Sequence, residues 1–305
     1  MTRVESVSGR KRARAMHFLA GGGRHNAVVE ARASTLEELA RSRNEEQVLL
    51  RWAWRKRCCV AAAMVLENAG RTGTLFHCPA DGPDVDADVL VDLIRSISGT
   101  AICGGLSLVH ASLQPTAKAN IAVLRSAGYE LLAELVHMKL ALTGPIEEQA
   151  DADLSWRSYD QFTEDELSEV IASTYEGSLD CPDLSGVRKI SDIIAGHKAS
   201  GAFRPGCWWI VCCDGAPAGC ILVNDLPASS SAEVVYMGVA AACRGRGLAQ
   251  KMLSRAAGEA LSRGLDEITL AVDVRNHYAT NIYTSMGFKE THKRQAWIAT
   301  KRTHV

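Results

Sequence analysis

Residues 239–252 read VAAACRGRGLAQKM. An apolar run, EVVYMGV at 233–239, leads into this stretch, and a helical pattern continues from it to Gly264. Two arginines and two glycines alternate at the junction. The first turn of a helix exposes backbone N–H groups without intrahelical partners, and the aligned peptide dipoles add positive character there. Glycine at 245 and 247 keeps side chains away from those amides while Arg244 and Arg246 add charge, so the segment reads as a cradle for a pyrophosphate. A solvated glycine-rich turn is the plainer alternative, since short glycine motifs are common.

Working outward, the elements around the cradle alternate. DLSWRSYD (153–160) has strand character, EDELSEVIASTY (164–175) and GVRKISDIIAGHKAS (186–200) read as helices, and CWWIVCCDG with APAGCILVND forms a hairpin turned at Asp214-Gly215. After the cradle helix come a strand at 267–274, a short helix at 277–287 ending in Gly287, and a last strand at 288–300. This order predicts an α/β fold of the α+β kind: a mixed sheet with helices on both faces.

The first half repeats the plan. GTLFHCP, DADVLVDLIRSISG, LSLVHASL, KANIAVLRSAGY and ELLAELVHMKLAL read as strand, helix, strand, helix, strand, and LRSAGYE matches YTSMGFKE as a small-Gly-aromatic step. One fold used twice is the expectation. Residues 49–68 fit two strands, with a helix through 38–54 as the alternative. The Gly-Pro pair and acidic stretch at 142–156 mark the boundary, giving a first domain at 1–145 and a second at 150–305.

Composition narrows the partners. A net charge of −1 over 305 residues exerts no global pull on nucleic acid or membrane. The basic run GRKRAR (9–14) lacks an aromatic platform in sequence and reads as a solvated tail or strand lead-in; the apolar segment behind it is too short for an export signal. Ten scattered cysteines without a CxxC, and dispersed histidines, point to reduced thiols in a cytoplasmic protein and to no metal.

Arg244 to Ala249 has the spacing Arg-x-x-Gly-x-Ala, which resembles the acetyl-CoA motif of the GNAT N-acetyltransferase superfamily. NHYATNIYTSMGF (276–288) resembles that family's downstream motif through Asn276, Ala279, Ile282, Tyr283, Gly287 and Phe288. The resemblance covers residues 155–298, and the two-domain plan is similar to tandem members such as mycothiol synthase. A proline frequent after the family's fourth strand is replaced here by AAAC.

The resemblance implies two tandem GNAT-like domains and transfer of acetyl from acetyl-CoA to a primary amine of a small molecule or peptide, by direct attack in a ternary complex. The cosubstrate would lie where EVVYMGV splays from EITLAVDV. It would be held by unpaired amides at Met237, Gly238 and Val239, by the cradle from Arg244 through Gly245, Arg246, Gly247, Leu248 and Ala249, and by Asn276 and Ala279. Tyr283 stands at the general-acid position. Glu233 is the candidate base, because simple strand alternation puts it on one face with Val235, Met237 and Val239. Asn276 would order its loop and a cofactor hydrogen bond, with a helix cap as the plainer alternative; Asp180 and Asp183 could attract a cationic amine, though exposed loop acids need no function.

The first domain is expected to be degenerate. Its counterpart of the cradle, PADGPDVDAD, carries Asp81, Asp84, Asp86 and Asp88, and aligning Gly128 with Gly287 puts Leu124 at the place of Tyr283 and Ala117 at that of Asn276. A monomer or homodimer is expected. A catalytically silent acyl-CoA-binding sensor or scaffold is the alternative to an enzyme.

Overall fold

The computed structural model describes residues 2–144, 153–184 and 186–302. The chain divides into two compact units, residues 1–132 with 295–305, and residues 133–294. Sequence reading drew a linear division at 145–150. The two compact units divide after Leu132 and before Gln295. The linker predicted at 142–156 lies mostly outside the described residues.

Unit 1 runs β1 (Thr2–Ser6), α1 (Arg12–Gly21), α2 (Ala27–Arg41), β2 (Val48–Arg55), β3 (Cys58–Asn68), β4 (Thr72–His77), α3 (Ala87–Cys103), β5 (Leu108–Leu113) and α4 (Lys118–Ser126). Then β6 (Glu130–Ala141) enters unit 2, which continues with β7 (Leu154–Ser158), α5 (Glu164–Tyr175), α6 (Ile190–Lys198), β8 (Trp208–Cys213), β9 (Ala216–Leu226), β10 (Ser231–Val239), α7 (Leu248–Ser262), β11 (Glu267–Asp273), α8 (His277–Ser285) and β12 (Lys289–Thr300). The two series have the same order. Thr72 and Ser231, Leu108 and Glu267, Lys118 and His277, and Glu130 and Lys289 open equivalent elements and each pair stands 159 residues apart.

In unit 1 the strand order is β1-β2-β3-β4-β5, closed by the last residues of β12, with Trp297 opposite Ala111. In unit 2 it is β6-β11-β10-β9-β8-β7, and β6 runs antiparallel to β11 from Leu135 opposite Asp273. The reuse of one fold is therefore visible element by element.

Local chemistry sets the elements that carry the site. Asp214 and Gly215, at φ 54° and 82°, make the left-handed pair that a two-residue hairpin requires. Thr163 and Glu166 close a reciprocal cap on α5, with Glu166 N–H donating to Thr163 Oγ1 at 3.2 Å and Thr163 N–H to Glu166 Oε2 at 2.8 Å. Strand β8 is buried on both faces, so its apolar run is continuous. Trp208 and Ile210 pack with Leu167, Ile171 and Ile194 of α5 and α6, while Trp209 and Val211 pack with Met252, Leu253 and Ala256 of α7.

At the amino-terminal end one sequence expectation changes and two helices are new. The basic run 9–14 is neither tail nor strand lead-in: it follows β1 and opens α1. Helix α1 went unrecognised because Ala15, Met16, Phe18, Leu19 and Ala20, all buried, form a nearly unbroken block without a helical stripe. Helix α2 buries only Val29, Leu36 and Ala40 along its fifteen residues, too sparse a pattern to announce itself. Residues 48–68 are two strands, so the alternative helix through 38–54 is excluded. Among the described residues no helix is long and apolar enough to cross a membrane.

Candidate active site

Parallel pairing of β10 with β11 covers only Ser231–Glu233 against Glu267–Thr269, after which the strands part. On the other side β10 stays paired with β9 down to Val239 opposite Gly219. Ala240 N–H donates to Ala218 O at 2.9 Å. Antiparallel ladders alternate, so the amide of Gly238 also turns toward β9, and those of Met237 and Val239 turn into the gap left by β11. Of the three amides expected to be free, that of Gly238 is turned to β9 by this alternation. Gly238 serves by its size: a Cβ there would meet Thr174 Oγ1 at 2.6 Å.

The register of β10 slips between Val234 and Tyr236, a bulge that makes Val235 the extra residue. This overturns the face argument for Glu233. Val234, Met237 and Val239 pack toward α7 and α8, while Val235 and Tyr236 pack toward α5 and α6. Glu233 therefore does not share a face with Met237 and Val239. It sits at the apex where the two strands part, paired with Asn224 and Thr269 and accepting a hydrogen bond from Ser200 Oγ at 3.3 Å. Burial raises its pKa above the ordinary carboxylate value and the Ser200 contact partly offsets this.

Helix α7 opens as expected. Its cap residue Gly247 is left-handed at φ 74°, no side chain caps the first turn, and no acidic residue lies in it. Gly245 is left-handed too, at φ 78°, and a Cβ on either glycine would point into open space. Leu248 is buried and Ala249 half-buried, so the positions after Gly247 offer main-chain nitrogens. A bound diphosphate fits this: uncapped amides, positive dipole end, no carboxylate in the turn.

The two arginines do different things. Arg244 spends its guanidinium on main-chain carbonyls, donating to Val239 O at 3.2 Å, Thr174 O at 3.0 Å and Glu176 O at 2.6 Å. It ties the end of α5 to the end of β10, so its side chain is a brace, where the sequence suggested a phosphate ligand. Arg246 is exposed, with Cys213 Sγ at 3.6 Å as its side-chain contact, and keeps its charge available at the cradle.

Tyr283 lies on α8, 7% exposed, beside Phe288 at 5.8 Å between ring centroids. Its pKa is raised, mainly by burial and further by the negative charge of Asp180, so the phenol keeps its proton throughout the neutral range. Asn276 caps α8, its Oδ1 accepting the Ala279 N–H at 3.2 Å, which realises the capping reading. Ala279 is half-buried on the same helix, packed against the core around Tyr283.

The loop between α5 and α6 corrects another expectation. Asp180 Oδ1 accepts the Asp273 N–H at 3.0 Å, and Asp183 pairs with Arg275 at 3.1 Å. Asp273, fully buried at the end of β11, holds Arg275 Nη2 at 2.7 Å and receives the Cys181 N–H at 3.3 Å. These acids anchor the loop to β11 and are not free lures for a cation. Sequence reasoning missed Asp273 and Arg275 because a buried acid paired two residues away carries no motif. It also missed Tyr236, whose hydroxyl meets Thr174 Oγ1 at 2.5 Å, and His197, whose ring lies 5.6 Å from that of Tyr236. Burial lowers the His197 pKa to about 4, with Arg188 adding to the effect.

Residues 177–288 match the model of the acetyltransferase (GNAT) family. Unit 2 carries a GNAT-family domain. Among solved structures, a GCN5-related N-acetyltransferase from Sphaerobacter thermophilus aligns over 98% of this chain and 95% of its own at 15% identity, TM-score 0.63. A tandem GNAT protein from the clavulanic acid biosynthesis pathway aligns over 98% of each chain at 14% identity, TM-score 0.54. A GCN5-related N-acetyltransferase from Kribbella flavida covers 87% of this chain and 92% of its own at 15% identity, TM-score 0.51. Nothing among the curated proteins matches. At these identities the structures establish the fold, a tandem GNAT architecture, and the GNAT match supports acyl transfer as the class of chemistry.

Proposed function

We propose that unit 2 transfers an acetyl group from acetyl-CoA to a primary amine of a small molecule or peptide, by direct attack within a ternary complex. The observation that carries this reading is the open, carboxylate-free start of α7 directly after the gap between β10 and β11. The pyrophosphate would rest on the amides following Gly245 and Gly247, with Arg246 adding charge. Met237 and Val239 N–H groups, turned into the gap, would hold the pantetheine arm and stabilise negative charge developing on the thioester oxygen.

Tyr283, kept protonated by burial, is suited to give its proton to the departing thiolate. Glu233, with its raised pKa, is suited to accept a proton from the attacking amine, directly or through water. Asn276 and Arg244 act by holding α8 and the β10–α7 connection in place.

Calorimetric titration of the full chain with acetyl-CoA should give one site per chain, and a thiol-release assay across a panel of amines should show turnover. Binding at a single site without release on any amine would favour the silent-sensor reading. Absence of affinity for coenzyme A would remove both.

A further inference from the structure

Unit 1 contains a cavity of about 890 Å³ formed by β1, the start of α1, β2 and the turn that follows it. Four cations line it, Arg3, Lys11, Arg14 and Lys56, against the single carboxylate of Glu5. Glu5 is engaged by Arg3 at 2.9 Å and Lys11 at 3.1 Å. Arg14 and Lys56 have no carboxylate partner among the described residues. Arg14 lies over the Trp54 ring, 4.9 Å from its centroid, which holds the guanidinium at the cavity wall.

Trp52 also lines the cavity and is 2% exposed; Glu5 is its cross-strand neighbour, and the Glu5 carboxyl is held below the usual carboxylate range, first by Lys11 and least by this indole.

We propose that this cavity is a binding site for a phosphate ester of about mononucleotide size. The excess of positive charge suits a dianion better than a single carboxylate, the Arg14 guanidinium suits its oxygens, and the volume leaves room for more than inorganic phosphate. Two of its cations, Lys11 and Arg14, belong to the basic run that opens α1. The site is independent of the acyl-transfer reading.

The test is calorimetry on the full chain with adenosine 5′-monophosphate and glucose 6-phosphate, each with and without saturating coenzyme A. At least one ester should bind at one site per chain, undisturbed by coenzyme A, and Arg14→Gln and Lys56→Glu should each weaken it about tenfold. Lys56 is on an exposed turn, so its variant stays informative should Arg14→Gln fail to fold. The proposal is overturned if neither ester binds up to about 10 mM, if coenzyme A displaces them, or if Lys56→Glu binds as tightly as the parent chain.

Discussion

The helices α3 and α7 occupy the same place in the two units, yet their first turns are chemical opposites. Helix α3 begins with its own anion: Asp86 caps it, accepting the Val89 N–H at 3.1 Å, and Asp88 lies in its first turn. Helix α7 begins with Gly247 and with nothing on its amides. The strands in front are alike, since β4 and β5 pair only over Thr72–Thr74 against Leu108–His110 before they part. In unit 1 the approach is also blocked. Asn120, which stands where unit 2 has Ala279, accepts the Ala80 N–H at 2.8 Å, and a Cβ on Gly82 would strike Gly22 O at 2.4 Å. The fold supplies a helix end and a gap in both units; whether an outside anion can use them is decided by a few side chains.

The largest effect should come from making unit 2 resemble unit 1 at Tyr283, where unit 1 has Leu124, buried and apolar. Tyr283→Phe keeps the ring and removes the proton. We expect kcat to fall by roughly 10²-fold or more, with the KM for acetyl-CoA nearly unchanged, measured by thiol release. An unchanged kcat would reduce Tyr283 to the packing role of Leu124.

Acid should separate the units through their histidines. His77 in unit 1 is buried, with Nδ1 bonded to the Cys78 carbonyl at 2.8 Å, and His197 in unit 2 is half-buried beside Tyr236. Because the His197 pKa falls from 6.5 to about 4 on folding, the unfolded chain takes up the proton first as pH drops. Its contribution is complete above pH 6.5 and lost as pH falls toward 4, about 3 kcal/mol in all. Denaturant midpoints of His197→Gln against pH should lose this part of the acid slope. A parallel slope in the variant would assign acid sensitivity to other groups.

Transferring the acidic turn is a smaller step. Gly247→Asp places a carboxylate on the start of α7 in a left-handed position that aspartate tolerates better than most residues. Affinity for acetyl-CoA should drop by roughly thirtyfold, about 2 kcal/mol, from repulsion and loss of the open amides, read by calorimetry. Equal binding in the variant would move the diphosphate away from this helix.

How much of this was legible in the sequence follows from the same contrast. Elements with a period or a stop signal were readable: α5 by its apolar spacing, the Asp214-Gly215 hairpin, α7 closed by Gly264. The cradle was readable because it is written in consecutive residues. What the sequence withheld was non-local. The bulge at Val235 reverses the faces of β10, and no residue type there announces it. Two of the carbonyls that occupy Arg244, those of Thr174 and Glu176, come from the end of α5, about seventy residues earlier. That β6 lies beside β11, and the end of β12 beside β5, depends on pairing partners, which periodicity does not encode.

The smallest effect tests the equivalence of the units directly. Asn276 caps α8 at φ −85° and ψ 67°, and Ala117 begins α4 at φ −78° and ψ 59° without a side-chain cap. The backbones are the same to within a few degrees; only the acceptor is missing. Ala117→Asn should let Oδ1 reach the N–H of Asn120 as Asn276 reaches that of Ala279, and stabilise unit 1 by about 0.5–1 kcal/mol. That gain would appear as a rise in the denaturant midpoint without change in slope. It should leave acetyl-CoA binding at one site per chain, since the acids at the start of α3 and the apolar Leu124 are untouched. A second acetyl-CoA site in Ala117→Asn would mean that a missing cap, more than repulsion, had silenced unit 1.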